Sequence, residues 1–169
     1  RWFVPPALEG RNVLTDPVAI QWQVRFVRYF VRRFREAACI AAWELGNECN
    51  CLGEFTREAF WVWASAITDA IRAADPSRPV VAGLHGLRPD PEAGVTIQDI
   101  AEVTDVLTTH PYPLFTPHCG REVLTAMRPA LHAAAETRLY ADVGSKPCLA
   151  EELGTLGPMF GCDASAANY

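Results

Sequence analysis

The chain has 169 residues, half of them hydrophobic, with a formal net charge of −5 and a pI near 5.3. That length and apolar content suit one globular unit with a sizeable core. The acidic balance gives no global reason to expect nucleic acid or an anionic membrane as partner. No apolar run approaches the ~20 residues that a membrane-spanning helix needs.

The N-terminal stretch Arg1-Trp2-Phe3-Val4-Pro5-Pro6 lacks the basic region, apolar core and cleavage site of a signal peptide and does not begin with Met. A processed chain or an excised piece is therefore expected. Six cysteines, at 39, 49, 51, 119, 148 and 162, are too sparse to staple a fold of this size. They leave the compartment open. Cys49 and Cys51 lie beside Glu48, and with Cys119 and Cys162 they could converge on one mouth as a disulfide. Unpaired thiols are the simpler expectation, and Cys-x-Cys is not the usual zinc spacing.

In chain order, Thr15-Asp16-Pro17 reads as a helix start, with an oxygen to cap and Pro at the first helical position. A helix to about Glu36 is predicted. Ile20, Val24, Val27, Val31 and Phe34 form its inner stripe, widened by Phe26 and Phe30. Arg25, Arg28, Arg32 and Arg35 form a solvated outer face. A strand from about Ile40 to Asn47 follows, then a loop with Cys49, Cys51 and Gly53. Thr56 caps a second helix to about Ala74, with Phe60, Ala64, Ile67 and Ile71 turned inward. Trp22, Trp61 and Trp63 fall on helices and read as packing residues.

Val80 to Leu84 is a second strand, followed by a loop carrying His85. A short helix runs from the Thr96 cap through Glu102. Asp105 to His110 is a third strand, ending in His110-Pro111-Tyr112-Pro113. A helix from Pro129 to about Val143, closed by Gly144 in a left-handed end, leads to the fourth strand, Lys146 to Glu152. Gly157 to Tyr169 shows no periodicity. Strand and helix alternate four times, which predicts a parallel sheet with right-handed crossovers. No internal repeat or linker divides the chain, so residues 1–169 are read as a single unit. No strand is followed by a Gly-rich phosphate fingerprint, which argues against a nucleotide or dinucleotide cofactor.

The chemistry is expected at the strand ends. An unbroken apolar run marks a strand buried on both faces, and α/β barrels place their chemistry where such strands end. Three of the four predicted strands end in ionisable groups: Glu48, His110 with Tyr112, and Glu151-Glu152. Two carboxylates facing each other across a mouth are what retaining glycoside hydrolysis needs, one protonating the leaving oxygen while the other attacks the anomeric carbon. A Tyr hydroxyl beside the attacking carboxylate favours its charged form. Adjacent strand residues point to opposite faces, so Glu151 reads as a supporting carboxylate next to Glu152.

Trp43-Glu44-Leu45-Gly46-Asn47-Glu48, His110-Pro111-Tyr112 and Glu151-Glu152-Leu153-Gly154 resemble three successive signatures of the clan A glycoside hydrolases, nearest to family five with its cellulases and β-mannanases. The resemblance spans about Arg1 to Gly154. It implies an incomplete (β/α)8 TIM-type barrel covering the end of strand three through strand seven. Leu153 departs from the aromatic residue usual there.

By position the resemblance makes Glu48 the acid/base, Glu152 the nucleophile and Asn47 the ligand of the sugar 2-hydroxyl. Tyr112 would bond the nucleophile and His110 would line the sugar subsite. His85 is a further candidate for a subsite, and Trp2 and Trp43 for stacking on sugar. The implied partner is an oligo- or polysaccharide with β-linkages of the glucan or mannan type, with no metal and no organic cofactor. Two other readings stand beside it. One is a catalytically silent partial barrel whose exposed edges pair between copies. The other is an unrelated α/β enzyme whose carboxylates hold a divalent metal.

Overall fold

The computed structural model describes residues 5–87, 94–112 and 128–154. Trp2, Cys119, Cys162 and the Gly157–Tyr169 tail lie outside the described residues. A short 3₁₀ turn at Pro6–Leu8 precedes α1 (Pro17–Phe34). There follow β1 (Trp43–Glu44), α2 (Arg57–Ala74), β2 (Val80–Val81), α3 (Ile97–Val103), β3 (Leu107–Thr109), α4 (Arg128–Gly144) and β4 (Cys148–Ala150). The pairs β1–β2 and β3–β4 are parallel, and a single parallel bridge between Val81 and Val106 joins them. This is α/β architecture with four consecutive parallel strands among the described residues, an incomplete barrel.

The helix starts follow from local chemistry. Asp16 Oδ1 accepts the Val18 and Ala19 backbone N–H groups at 2.8 and 3.0 Å, satisfying donors that would otherwise lack a partner. Thr56 accepts from Ala59 at 3.2 Å. Thr96 and Asp99 form a reciprocal capping box, and Arg57 grips the same Asp99 through two 2.7 Å bonds. Phe60, Ala64, Ile67 and Ile71 of α2 are fully buried, as their spacing predicts.

Three details depart from the sequence reading. The extended strands are shorter than predicted, because left-handed backbone at Glu48 (φ 49°) and Gly83 (φ 64°) and the φ of 139° at Gly46 end the regular ladder early. Pairing persists past them through Leu45 N–H to Val81 O at 3.1 Å and Glu48 N–H to Gly83 O at 2.7 Å. The left-handed residue after α4 is Ser145 (φ 53°), not Gly144. Gly144 lacks a side chain for another reason: a Cβ there would run into Leu107 Cδ1 and press on Ala101. Finally, Val31 is buried and Ile20, Val24 and Val27 pack on the core, but Phe26 is 63% exposed and Phe30 and Phe34 are exposed too. The contact of α1 with α2 is narrower than the apolar stripe it presents. The arginine row lies outside, as expected.

Candidate active site

The C-terminal ends of the strands bring Glu48, His85, His110, Tyr112, Glu151 and Glu152 together. His110 leaves the end of β3 with its side chain fully buried, and the others gather around it. Its Nδ1 lies 2.9 Å from Glu48 Oε1 and 3.6 Å from Glu152 Oε2. The nearest carboxyl oxygens of the two glutamates are therefore at most 2.9 plus 3.6 Å apart, about 6.5 Å. That bound admits the ~5–5.5 Å spacing of a retaining pair and reaches only the lower limit of the inverting range. Tyr112 donates its hydroxyl to Glu152 Oε1 at 2.8 Å.

Backbone shape aims these groups. Glu48 caps a 3₁₀ turn, Cys49–Cys51, from a left-handed conformation that turns its side chain back over the mouth. Within that turn Asn50 clasps the loop after β2, accepting the His85 N–H at 3.1 Å and donating to the His85 carbonyl. This fixes His85, whose Nδ1 lies 3.5 Å from Glu48 Oε1. Opposite, the ladder runs on past β4, with Glu151 N–H donating to Thr109 O at 3.1 Å. Glu151 Oε2 then stands 3.5 Å from His110 Nε2.

Glu44 belongs to the same cluster. Its carboxyl lies against Gly83, where any Cβ would collide with it, and beside Glu151. Desolvation there, reinforced by the Glu151 charge, raises its pKa above the ordinary carboxylate range. Strand alternation was the available signal: if Glu48 reaches the mouth, Glu44 four residues earlier shares its face. Asn50 had no sequence signal beyond its place in the loop.

Not every predicted residue joins the cluster. Asn47 is exposed beside Glu48. Trp43, the neighbour of Glu44 in β1, is buried with its side chain directed away from the cluster, its indole N–H donating to Asp75 at 2.9 Å and its ring edge-on to Phe30 at 6.3 Å. It is a packing residue, not a sugar platform. Trp63 is buried and Trp61 half-exposed, whereas Trp22 lies exposed under Arg25, 5.0 Å from its guanidinium carbon. Cys39, Cys49, Cys51 and Cys148 are free thiols. Burial, with the Glu44 charge next in weight, pushes the Cys49 thiol up to about 12.

The sequence matches no family model. It is 33% identical over 154 residues to mannan endo-1,4-beta-mannosidase A of Podospora anserina, an alignment covering 83% of this chain and 38% of that protein. Over 62 residues it is 37% identical to the probable mannan endo-1,4-beta-mannosidase F of Aspergillus flavus, covering 37% of this chain and 13% of the relative. In structure it resembles GH5_18 from Streptomyces cattleya, in complex with Manb1-4GlcNAc, with a TM-score of 0.81 at 20% identity over 98% of this chain and 44% of that one. The exo-beta-1,4-mannosidase Op5Man5 from Opitutaceae bacterium strain TAV5 gives 0.71 at 23% identity, over 90% of this chain and 29% of that one.

The chain folds as part of an α/β barrel like that of the family-five enzymes it resembles. It spans less than half the length of the first relative and of both structures. The family-five barrel accounts for the strand order and for the gathering of side chains at the strand ends. Behind the mouth, α2 packs on β2 and α4 packs on β3 and β4.

Proposed function

We propose that residues 1–169 form a single catalytic unit, a retaining glycoside hydrolase acting on β-linked glycans of the mannan type. The observation that carries the reading is the convergence of Glu48 and Glu152 on one buried imidazole nitrogen, with Tyr112 bonded to the second carboxylate. Glu152 attacks the anomeric carbon as Glu48 delivers its proton to the leaving oxygen. Glu48 then takes a proton from water, which cleaves the glycosyl-enzyme ester and restores both groups. Tyr112 orients Glu152, and His110 Nδ1 holds Glu48. Asn47, next to Glu48 in the chain, is assigned to the sugar 2-hydroxyl, and His85 to a neighbouring subsite.

The mannan preference rests on the names of the relatives, endo-1,4-beta-mannosidases and an exo-beta-1,4-mannosidase. The test is turnover of aryl β-mannosides and β-glucosides by the 169-residue chain. Activity that is lost on substituting either Glu48 or Glu152 supports the reading. No turnover of any member of the panel refutes it for this chain.

A second reading is favoured by the sheet edges. Among the described residues β1 and β4 each pair on one side only, and Leu149 of β4 is exposed. Unpaired edges invite strand addition, so copies of the chain would pair there and form a homo-oligomer, with or without catalysis. Light scattering at rising concentration decides this: a constant monomer mass rules it out.

A further inference from the structure

Retaining glycoside hydrolysis uses no metal, yet the mouth of this barrel presents a metal-ligand set. We propose that Glu48, His85 and His110 bind a divalent cation of the zinc class. One ligand atom from each lies within 4.8 Å of the other two. Glu48 Oε1 is 2.9 Å from His110 Nδ1 and 3.5 Å from His85 Nδ1. Bonds of about 2.0–2.1 Å in a tetrahedral zinc site set neighbouring donors about 3.3 Å apart. The carboxylate therefore already stands at ligand spacing from both rings.

The surroundings fit the same chemistry. His85 Nδ1 is buried without a hydrogen-bond partner, facing Glu48. Such an orphan is costly unless something satisfies it. Its backbone is clamped by Asn50 on both sides, so the ring is held ready. A histidine that ligates through Nδ1 ordinarily gives its Nε2–H to a carboxylate, which fixes tautomer and ring plane. Nε2 of His110 is likewise buried without a hydrogen-bond partner, and Glu151 Oε2, 3.5 Å away, is the carboxylate that could take its proton once Nδ1 ligates. Two imidazoles with one carboxylate suit zinc and its transition-metal neighbours, whereas magnesium and calcium favour all-oxygen shells. The Glu48 side chain keeps 27% of its surface exposed, so the fourth position opens to solvent and the ion has an entry path.

In the metal-free state the proton between His110 Nδ1 and Glu48 occupies the place of the ion, and binding releases it. Binding itself does not depend on what Glu48 does to a sugar. One consequence does rest on the proposed function: an ion on Glu48 removes the acid/base, so zinc inhibits hydrolysis and a chelator raises activity.

Cobalt(II) titration of the metal-free chain tests the proposal, read by visible d–d absorption and by the thermal midpoint. Saturable tetrahedral bands and a raised midpoint are expected, competed away by zinc. His85→Ala and Glu48→Gln are expected to weaken cobalt binding by about 100-fold or more, beyond the usual loss for an outer-shell change. His132→Ala, on α4, leaves it unchanged. Circular dichroism confirms that each variant is folded. Thiolate-to-cobalt charge-transfer bands, or binding that survives both His85→Ala and Glu48→Gln, would assign the ion elsewhere and overturn the proposal. Because the readout is spectroscopic, a chain that binds cobalt without cleaving sugar sinks only the hydrolase reading. A chain that cleaves sugar without binding cobalt sinks only this one.

Discussion

The two ends of the parallel sheet use the same residue types and treat them in opposite ways. At the N-terminal end each carboxylate is saturated. Asp75 accepts from Trp43, from Arg78 at 2.7 Å and twice from Ser77. Asp105 accepts the Val80 N–H and the Arg72 guanidinium, both at 2.8 Å. At the C-terminal end Glu44, Glu48, Glu151 and Glu152 crowd one space. Their ion-pair partners among the described residues are histidines alone. One end spends its charges on holding the fold. The other leaves them under-compensated, as a site must if its groups are to gain and lose protons.

Substitutions sharpen this contrast. The largest expected effect is at the mouth: Glu48→Gln or Glu152→Gln lowers kcat on an aryl β-mannoside by about 10²–10⁴-fold with the urea midpoint unchanged or raised. A parallel loss of stability would show that the mouth carries structural weight after all. Trp43→Phe does the reverse. It strands part of Asp75 and costs about 1–3 kcal/mol in urea unfolding, with kcat intact once the protein is folded.

Smaller effects follow at the boundary of the two roles. Tyr112→Phe removes the donor on Glu152 and is expected to lower kcat about tenfold with KM little changed, the worth of one hydrogen bond in a transition state. The smallest concerns Glu44. Glu44→Gln relieves crowding and raises the thermal midpoint by about 1–3 °C at neutral pH.

The pH profile separates the two ends by sign. Asp75 is held well below its ordinary value, chiefly by Ser77 and then Trp43. Its contribution is full above 3.8 and is lost as pH falls below it. Glu44 is raised above 4.5, so the folded state binds the extra proton and stability falls as pH climbs through that region. Unfolding free energies measured across pH are expected to lose the acid limb in Asp75→Asn. They lose the decline above 4.5 in Glu44→Gln.

Much of this was legible in the sequence. Caps at Asp16, Thr56 and Thr96 are local chemistry, and the inner stripe of α2 is a local period, so both could be read directly. The carboxylates at strand ends were visible because the order of elements is itself a spatial statement in a parallel barrel. What escaped depends on neighbours distant in sequence. The direction in which Trp43 faces is set by Asp75, 32 residues on. The need for Gly144 is set by Leu107 across the α4–β3 contact. The outward aromatic rings of α1 reflect how much of the helix α2 covers, which no periodicity in α1 can report.

The succession of strands in the sheet has a kinetic consequence. Because each strand lies beside the next in the chain, several of the closures that build the mouth are of similar, modest length. The Asn50–His85 clasp spans 35 residues and the Tyr112–Glu152 bond 40. The Glu48–His110 contact, which joins the first three strands, spans 62. A doubling of loop length adds only about 0.6 kcal/mol of closure entropy, so the widest of these costs less than that beyond the narrowest. The chain can therefore zip from one crossover to the next, each unit templating the edge on which its successor folds.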